Sequence, residues 1–224
     1  MTDHRTVLTD STAFARVTGA VYRYLVVEVA FVLAALPGIA GIALLEPSSA
    51  NVPLYVLCLI PVLPGFSAAV AALRRRDDDQ ATPWRTYWRC WRANVRDVLR
   101  VTTPALVLLA VVGFNIVFAA TVGTFFAVAA FVLAVLIVLW CLNAVLIASL
   151  FRFRTRDVAR LAAYHLVAKP LAALGTVCLA VIAIALALSM TWWVLVAGGS
   201  ILAGLVRAGA RPLIADIETR FIAP

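Results

Sequence analysis

The stretch Phe125–Leu150 reads FFAVAAFVLAVLIVLWCLNAVLIASL. It holds no charged side chain, one amide (Asn143) and one late hydroxyl (Ser149). A helix needs roughly 20 apolar residues to cross the hydrocarbon layer of a membrane, and this run exceeds that. Working outward, four further apolar blocks lie at Tyr24–Leu45, Val52–Leu73, Val101–Ala120 and Pro170–Val206. The last is too long for one crossing. Divided at Thr191, it gives Leu171–Met190 and a short sixth span, Trp192–Val206.

Composition agrees. Hydrophobic residues make up 64% of the 224 and charged residues 13%, whereas a soluble domain has about 45–50% and about 25%. A chain of this length cannot hide so much apolar surface from water. A soluble enzyme, a disordered tail and a disulfide-rich secreted module are excluded. The expected fold class is all-α: a single integral membrane domain over residues 1–224, with six transmembrane helices arranged as three hairpins and amphipathic cytoplasmic connectors at 74–100 and 151–170.

Charge fixes the expected topology. Three basic residues precede span one (Arg5, Arg16, Arg23), and eight lie between spans two and three. Five lie between spans four and five (Arg152, Arg154, Arg156, Arg160, Lys169), and three follow span six (Arg207, Arg211, Arg220). These are all 19 basic residues of a chain with net charge +8. The other three connectors, Glu46–Asn51, Thr121–Thr124 and Thr191, carry none. Lys/Arg bias sets orientation, so both termini and both long connectors are expected in the cytoplasm. Tyr22 and Tyr24 fit the inner boundary. Tyr55, Phe125, Phe126, Trp192 and Trp193 fit the outer one. Trp140 lies well inside span four and reads as core.

The first 23 residues are polar and basic, and span one is too long for a cleaved leader, so it reads as a signal anchor. Cys58, Cys141 and Cys178 fall within spans and Cys90 in a connector. No disulfide is expected, and the lack of CxxC argues against metal or redox chemistry. HExxH, GxSxG and a Walker A lysine are all missing. No paired acid–base set stands in for them. The chain does not read as an enzyme, and no cofactor is implied.

The first connector contains WRTYWRCWRANVRDVLR, Trp84–Arg100. Pro83 suits the first position of a helix. At 100° per residue, Trp84, Trp88, Trp91, Val95 and Leu99 share one face, and Arg85, Arg89, Arg92, Arg96 and Arg100 form a stripe beside it. One reading is an interfacial helix, with rings among the acyl boundary and guanidiniums toward anionic headgroups. Each such charge contributes about 1 kcal/mol near an anionic leaflet. The other reading is docking to a partner subunit, centred on Trp84, Trp88, Arg89, Trp91, Arg92 and Arg96. Nucleic acid is disfavoured because the stripe is tethered to a membrane. The run Arg74–Asp79 (RRRDDD) reads as a solvated turn ending span two. Arg96–Arg100 (RDVLR) and Arg156–Arg160 (RDVAR) lie 60 positions apart and hint at a repeated unit of two spans plus an amphipathic helix.

Within the spans, Glu28 is the only acid. It is expected about 6 Å deep, within reach of Arg23 or Arg74, as either a structural pair or a functional group. Asn115 and Asn143 are expected to hydrogen-bond neighbouring helices. Pro37-Gly38 in span one and Pro61 and Pro64 in span two should bend both helices at similar depth. That leaves a choice between packing kinks and a substrate pocket of the kind transporters build at broken helices. In span six the pairs Gly199/Ala203 and Ser200/Gly204 permit close helix contact, and a second copy of the chain is a candidate partner.

The segment Tyr87–Leu99 (YWRCWRANVRDVL), preceded by Leu54-Tyr55, Pro64, Ala68–Leu73 and Arg74, resembles the YesL-like family of bacterial integral membrane proteins. Ser149–Leu161 (SLFRFRTRDVARL) resembles its actinobacterial branch. Where the family often carries an Asn early in span one, this chain has Glu28. The resemblance implies a multi-pass protein of the bacterial plasma membrane. It also implies a role beside carbohydrate ABC importers, with their permease subunits as partners. It transfers no catalytic or binding residues. The expected function is thus an accessory component of carbohydrate uptake. The alternative is a self-contained transporter or channel with its site at the Pro37/Pro61/Pro64 bends.

Overall fold

The structure is a computed structural model and describes residues 4–74, 82–118, 123–151, 153–168 and 198–209. Those residues form α1 (His4–Leu44), a 3-10 turn (Ser49–Asn51), α2 (Val52–Arg74), α3 (Pro83–Val117), α4 (Thr124–Leu150), α5 (Thr155–Ala168) and α6 (Gly199–Gly209). Among the described residues, four helical stretches, Val17–Leu44, Ser49–Arg74, Pro83–Val117 and Thr124–Leu150, are long and apolar enough to cross a membrane. The expected fifth span lies outside the described residues, as does the first part of the sixth.

The centre of the bundle is the second half of α2. Every residue from Pro64 to Leu73 is buried. Gly65, Ser67, Ala68, Ala69, Ala71 and Ala72 supply small side chains there, so neighbouring backbones come close. α1 runs antiparallel to α2: Gly38 meets Cys58 and Val62, while Phe31 and Ala34 meet Gly65. α4 runs parallel to α2, because Ser67 lies against Ser149 and Arg74 reaches Leu150. α6 runs antiparallel to α1, with Gly199 on Phe31 and Gly204 on Tyr24.

Three boundaries differ from the sequence expectation. α1 begins at His4 rather than near Tyr24, so the polar N-terminal segment continues the span as helix. α6 runs on to Gly209, past the expected end of the sixth span at Val206. The third difference matters most for function. The first connector and span three are one helix, α3, with no break at Arg100–Val101. The sequence there offers no stop signal until Pro104, and a membrane boundary is not one.

Nor does α3 run straight beside α2. Tyr87 touches Gly65, and Gly113 faces Val52. A straight helix from Tyr87 to Gly113 would cover about 39 Å, yet Gly65 and Val52 are only about 20 Å apart along α2. α3 therefore bends between its two contacts. Pro104 lies between them and interrupts the hydrogen-bond ladder. The Thr102 hydroxyl donates to the Val98 carbonyl (2.8 Å), a side-chain bond that often accompanies such bending. The first half of α3 forms a shelf beneath the C-terminal ends of α2 and α4.

α4 divides sharply. Its second half, from Ile137 onward, is largely buried, whereas Phe125, Phe126, Val128, Phe131, Val132 and Leu133 are exposed. Among the described residues, the opposite end of the bundle is held by a small cluster of Ala105, Val112 and Ile137. Gly123 leads into α4 at φ 111, a conformation that side chains beyond glycine rarely adopt. At the other end of the helix, Phe151 is extended and stops it.

Candidate functional site: the arginine shelf and the helix ends above it

The shelf is built from Pro83 onward. Pro83 occupies the first helical position, where its missing N–H costs nothing. The aromatic face then turns inward. Tyr87 is fully buried and its hydroxyl donates to the Gly65 carbonyl (3.0 Å). That carbonyl lies just past Pro64, so the bond ties the shelf to the proline-bearing part of α2. Trp84, Trp88 and Trp91 form successive edge-on ring pairs (5.8 and 5.6 Å between centroids). Trp88 and Trp91 are half-buried against the core, and Trp84 alone is exposed. More of the Trp88 and Trp91 ring surface packs on protein than stays exposed. Arg85, Arg89, Arg92, Arg96 and Arg100 are all exposed.

Polar groups join the helix ends above the shelf. Arg74 Nη1 donates to the Leu150 carbonyl (2.9 Å), and its guanidinium lies 5.4 Å from the Phe151 ring centroid. The residue expected in a solvated turn is thus half-buried and bridges α2 to α4. Asn94 Nδ2 reaches the Ser149 carbonyl at 3.4 Å. The Ser149 hydroxyl donates to the Val145 carbonyl and shares a second bond with Ser67 (2.9 Å). Between shelf and helix ends lies a cavity of about 500 Å³ whose lining mixes Arg74, Arg89 and Asn94 with small residues and with Leu150 and Phe151.

The expected intramembrane positions separate. Glu28 is half-buried, and its carboxylate accepts from the backbone N–H groups of Gly199 (3.1 Å) and Ser200 (2.6 Å). It caps the start of α6, where two otherwise orphaned donors and the positive end of the helix dipole meet a negative charge. An unsatisfied N–H in hydrocarbon costs several kcal/mol, which gives the acid its structural reason. The expectation pointed instead to an arginine partner, and Arg74 is engaged at Leu150. Glu28 also lies within Coulombic reach of Tyr87.

Pro37 is exposed, Pro61 half-buried and Pro64 buried, all within continuous helices. Where α1 crosses α2, a Cβ on Gly38 would sit 2.3 Å from the Cys58 carbonyl and 3.1 Å from Pro61. The crossing is filled by backbone, so the bends serve packing there. Asn115 is exposed and donates to the Val111 carbonyl of its own helix (2.9 Å), with no bond to another helix among the described residues. Asn143 is buried in α4.

Sequence reasoning passed over Arg74, Asn94 and Ser149 as site residues. A weak signal existed. Cys90, Ala93 and Asn94 interrupt the aromatic–arginine pattern with small or amide side chains on one helical face. Among the described residues, no three His, Cys, Asp or Glu side chains come together in a way that could hold a metal. Comparison with protein families, with characterised proteins and with solved structures finds no match.

Proposed function

We propose that this chain is a six-span accessory protein of the bacterial plasma membrane, of YesL-like type, serving carbohydrate uptake. In this reading it docks to the permease subunits of an ABC-type importer through the arginine stripe of α3. One observation carries the proposal. Tyr87 is buried and Trp88 and Trp91 are half-buried against the core, while Arg85, Arg92, Arg96 and Arg100 are exposed along the same helix. A stripe of fixed positive charge on a rigid element suits an acidic partner surface and speeds encounter with it. The six-span parity is supported by direction: α4 and α6 run the same way, so an opposite passage between them fits. The positive-inside bias supports cytoplasmic termini.

The transporter reading draws no support from the α1–α2 crossing, where Gly38 and Cys58 leave no room for a solute. The test is co-purification in mild detergent. Importer permease subunits should be recovered with the wild-type chain and lost with Arg92→Ala/Arg96→Ala. Substrate flux by the purified chain alone in liposomes would overturn the accessory role.

A further inference from the structure

The tie between Glu28 and α6 plays no part in partner docking. We propose that Glu28 is a proton-operated latch: its ionised carboxylate holds α6 against α1, and proton uptake frees α6 while the rest of the bundle stays packed. This proposal stands independently of the importer reading.

Glu28 Oε1 accepts from the Gly199 N–H (3.1 Å) and Oε2 from the Ser200 N–H (2.6 Å), so both oxygens are committed. Among the described residues, these are the only hydrogen bonds from α6 to another helix. The remaining attachment is a narrow stripe. Ser200, Ala203 and Val206 are buried, Gly199 rests on Phe31 and Gly204 on Tyr24, while Ile201 and Leu205 are exposed. Small residues let helices approach closely but offer few atoms to hold them. The carboxylate adds what the stripe lacks, a charge at the positive end of α6 and an acceptor for each N–H. A proton on Glu28 removes both. It cancels the charge, and one oxygen becomes a hydroxyl that must itself donate. One of the two N–H groups then loses its acceptor in an apolar setting, which is costly. Of the described titratable groups, Tyr87 of α3 lies within Coulombic reach, and its hydroxyl donates to the Gly65 carbonyl. Tyr24 lies about one turn away on α1 against Gly204, with Arg23 beside it in sequence. α2 meets this part of α1 with Ser67–Ala72, which holds no titratable group. α6 brings its backbone N–H groups, with Arg207 about two turns further along. The latch also adjoins the shelf. Phe31, the ring under Gly199, lies against Gly65, whose carbonyl holds Tyr87. The ring that α6 covers is thus the one that backs the tether of the shelf.

The experiment uses the full chain in neutral detergent, with the native cysteines replaced. Spin labels at Val21→Cys and Leu205→Cys, both exposed positions, report the distance between α1 and α6. A second pair, Leu36→Cys and Leu54→Cys, reports the packing of α1 on α2. At neutral pH the first pair should give one narrow population. Lowering the pH to about 4, where carboxylates take up protons, should add a longer and broader one. Glu28→Gln cannot accept both N–H groups, because its amide nitrogen only donates. It should show the longer population already at neutral pH and change no further on acidification. Tyr87→Phe should respond to pH as the wild type does. The α1–α2 pair should stay narrow throughout, in the wild type and in Glu28→Gln, which shows that the bundle remains folded. The proposal is overturned if the wild-type α1–α6 distance ignores pH, or if Glu28→Gln still responds to it. It is equally overturned if the wild-type α1–α2 pair broadens together with the α1–α6 pair, since α6 is then not released on its own.

Discussion

The two connectors carry nearly the same five residues and meet different fates. In Arg96–Arg100 and in Arg156–Arg160 the valine is buried (Val98, Val158), both arginines and the aspartate are exposed, and the fourth residue is half-buried. Yet the first lies in the middle of α3 and the second opens α5. The difference comes from the flanks. Nothing before Arg96 or after Arg100 stops a helix, so shelf and span fuse. Before Arg156, Phe151 turns extended and the Arg154 carbonyl accepts from Asp157 and Val158 to start a new helix. Five residues thus set a face, and their neighbours set continuity. Tyr87, Trp88 and Trp91 then give the shelf an aromatic anchor that α5 lacks. α5 holds on through Val158, Ala162 and His165 on one stripe, and through Trp140 Nε1 donating to Ala159 (3.1 Å).

The largest contrast is expected from proline. Leu99→Pro breaks α3 inside the shelf and should cost about 3 kcal/mol or more. Thr155→Pro occupies the first position of α5 and should stay within about 0.5 kcal/mol of wild type. Reversible unfolding in detergent measures both. Next come the matched valines. Val98→Ala and Val158→Ala should each cost about 2 kcal/mol by the same assay, from lost methyl contacts and the space left behind. Unequal costs would show that equal burial hides unequal packing. The two tethers follow: Tyr87→Phe should cost about 1 kcal/mol by removing one hydrogen bond to a buried carbonyl, and Trp140→Phe more than that, because the smaller ring also leaves space in the core. The smallest stability effect belongs to the exposed charges, Arg92→Ala and Arg160→Ala, within about 0.5 kcal/mol. They should part company in partner recovery, with Arg92→Ala lowering it and Arg160→Ala leaving it unchanged.

Much of the architecture was legible in the sequence because hydrocarbon imposes a length rule. Val52–Leu73 and Phe125–Leu150 match α2 and α4 to within a residue or two. The amphipathic faces were only partly legible: the expected stripe from Trp84 to Leu99 is half-buried or exposed, and the fully buried residues beside it are Tyr87, Cys90 and Val98. The inward turn of the tryptophans was not legible. An apolar ring suits lipid and protein equally well, and only the nearby ends of α2 and α4 decide between them. Glu28 was legible as an exception but not in its partner. Its acceptors are filled by backbone N–H groups, which leave no mark in composition. The cavity was the least legible feature. It arises from Ala71, Cys90 and Ala93 on two helices, and small residues that leave a void look no different from small residues that allow contact.

The central claim is that α3 is a single bent helix, whose first half is a shelf under the bundle and whose second half climbs beside α4. Spin labels at Arg85→Cys and Asn115→Cys in a background with the native cysteines replaced test it directly. A helix bent between its contacts with Gly65 and Val52 places the labelled backbones clearly closer than the about 45 Å that a straight helix gives. Pulsed electron–electron distance measurement should give one narrow population at a shorter value. A population centred near the longer value would contradict the shelf, and with it both the exposed stripe and the cavity above it.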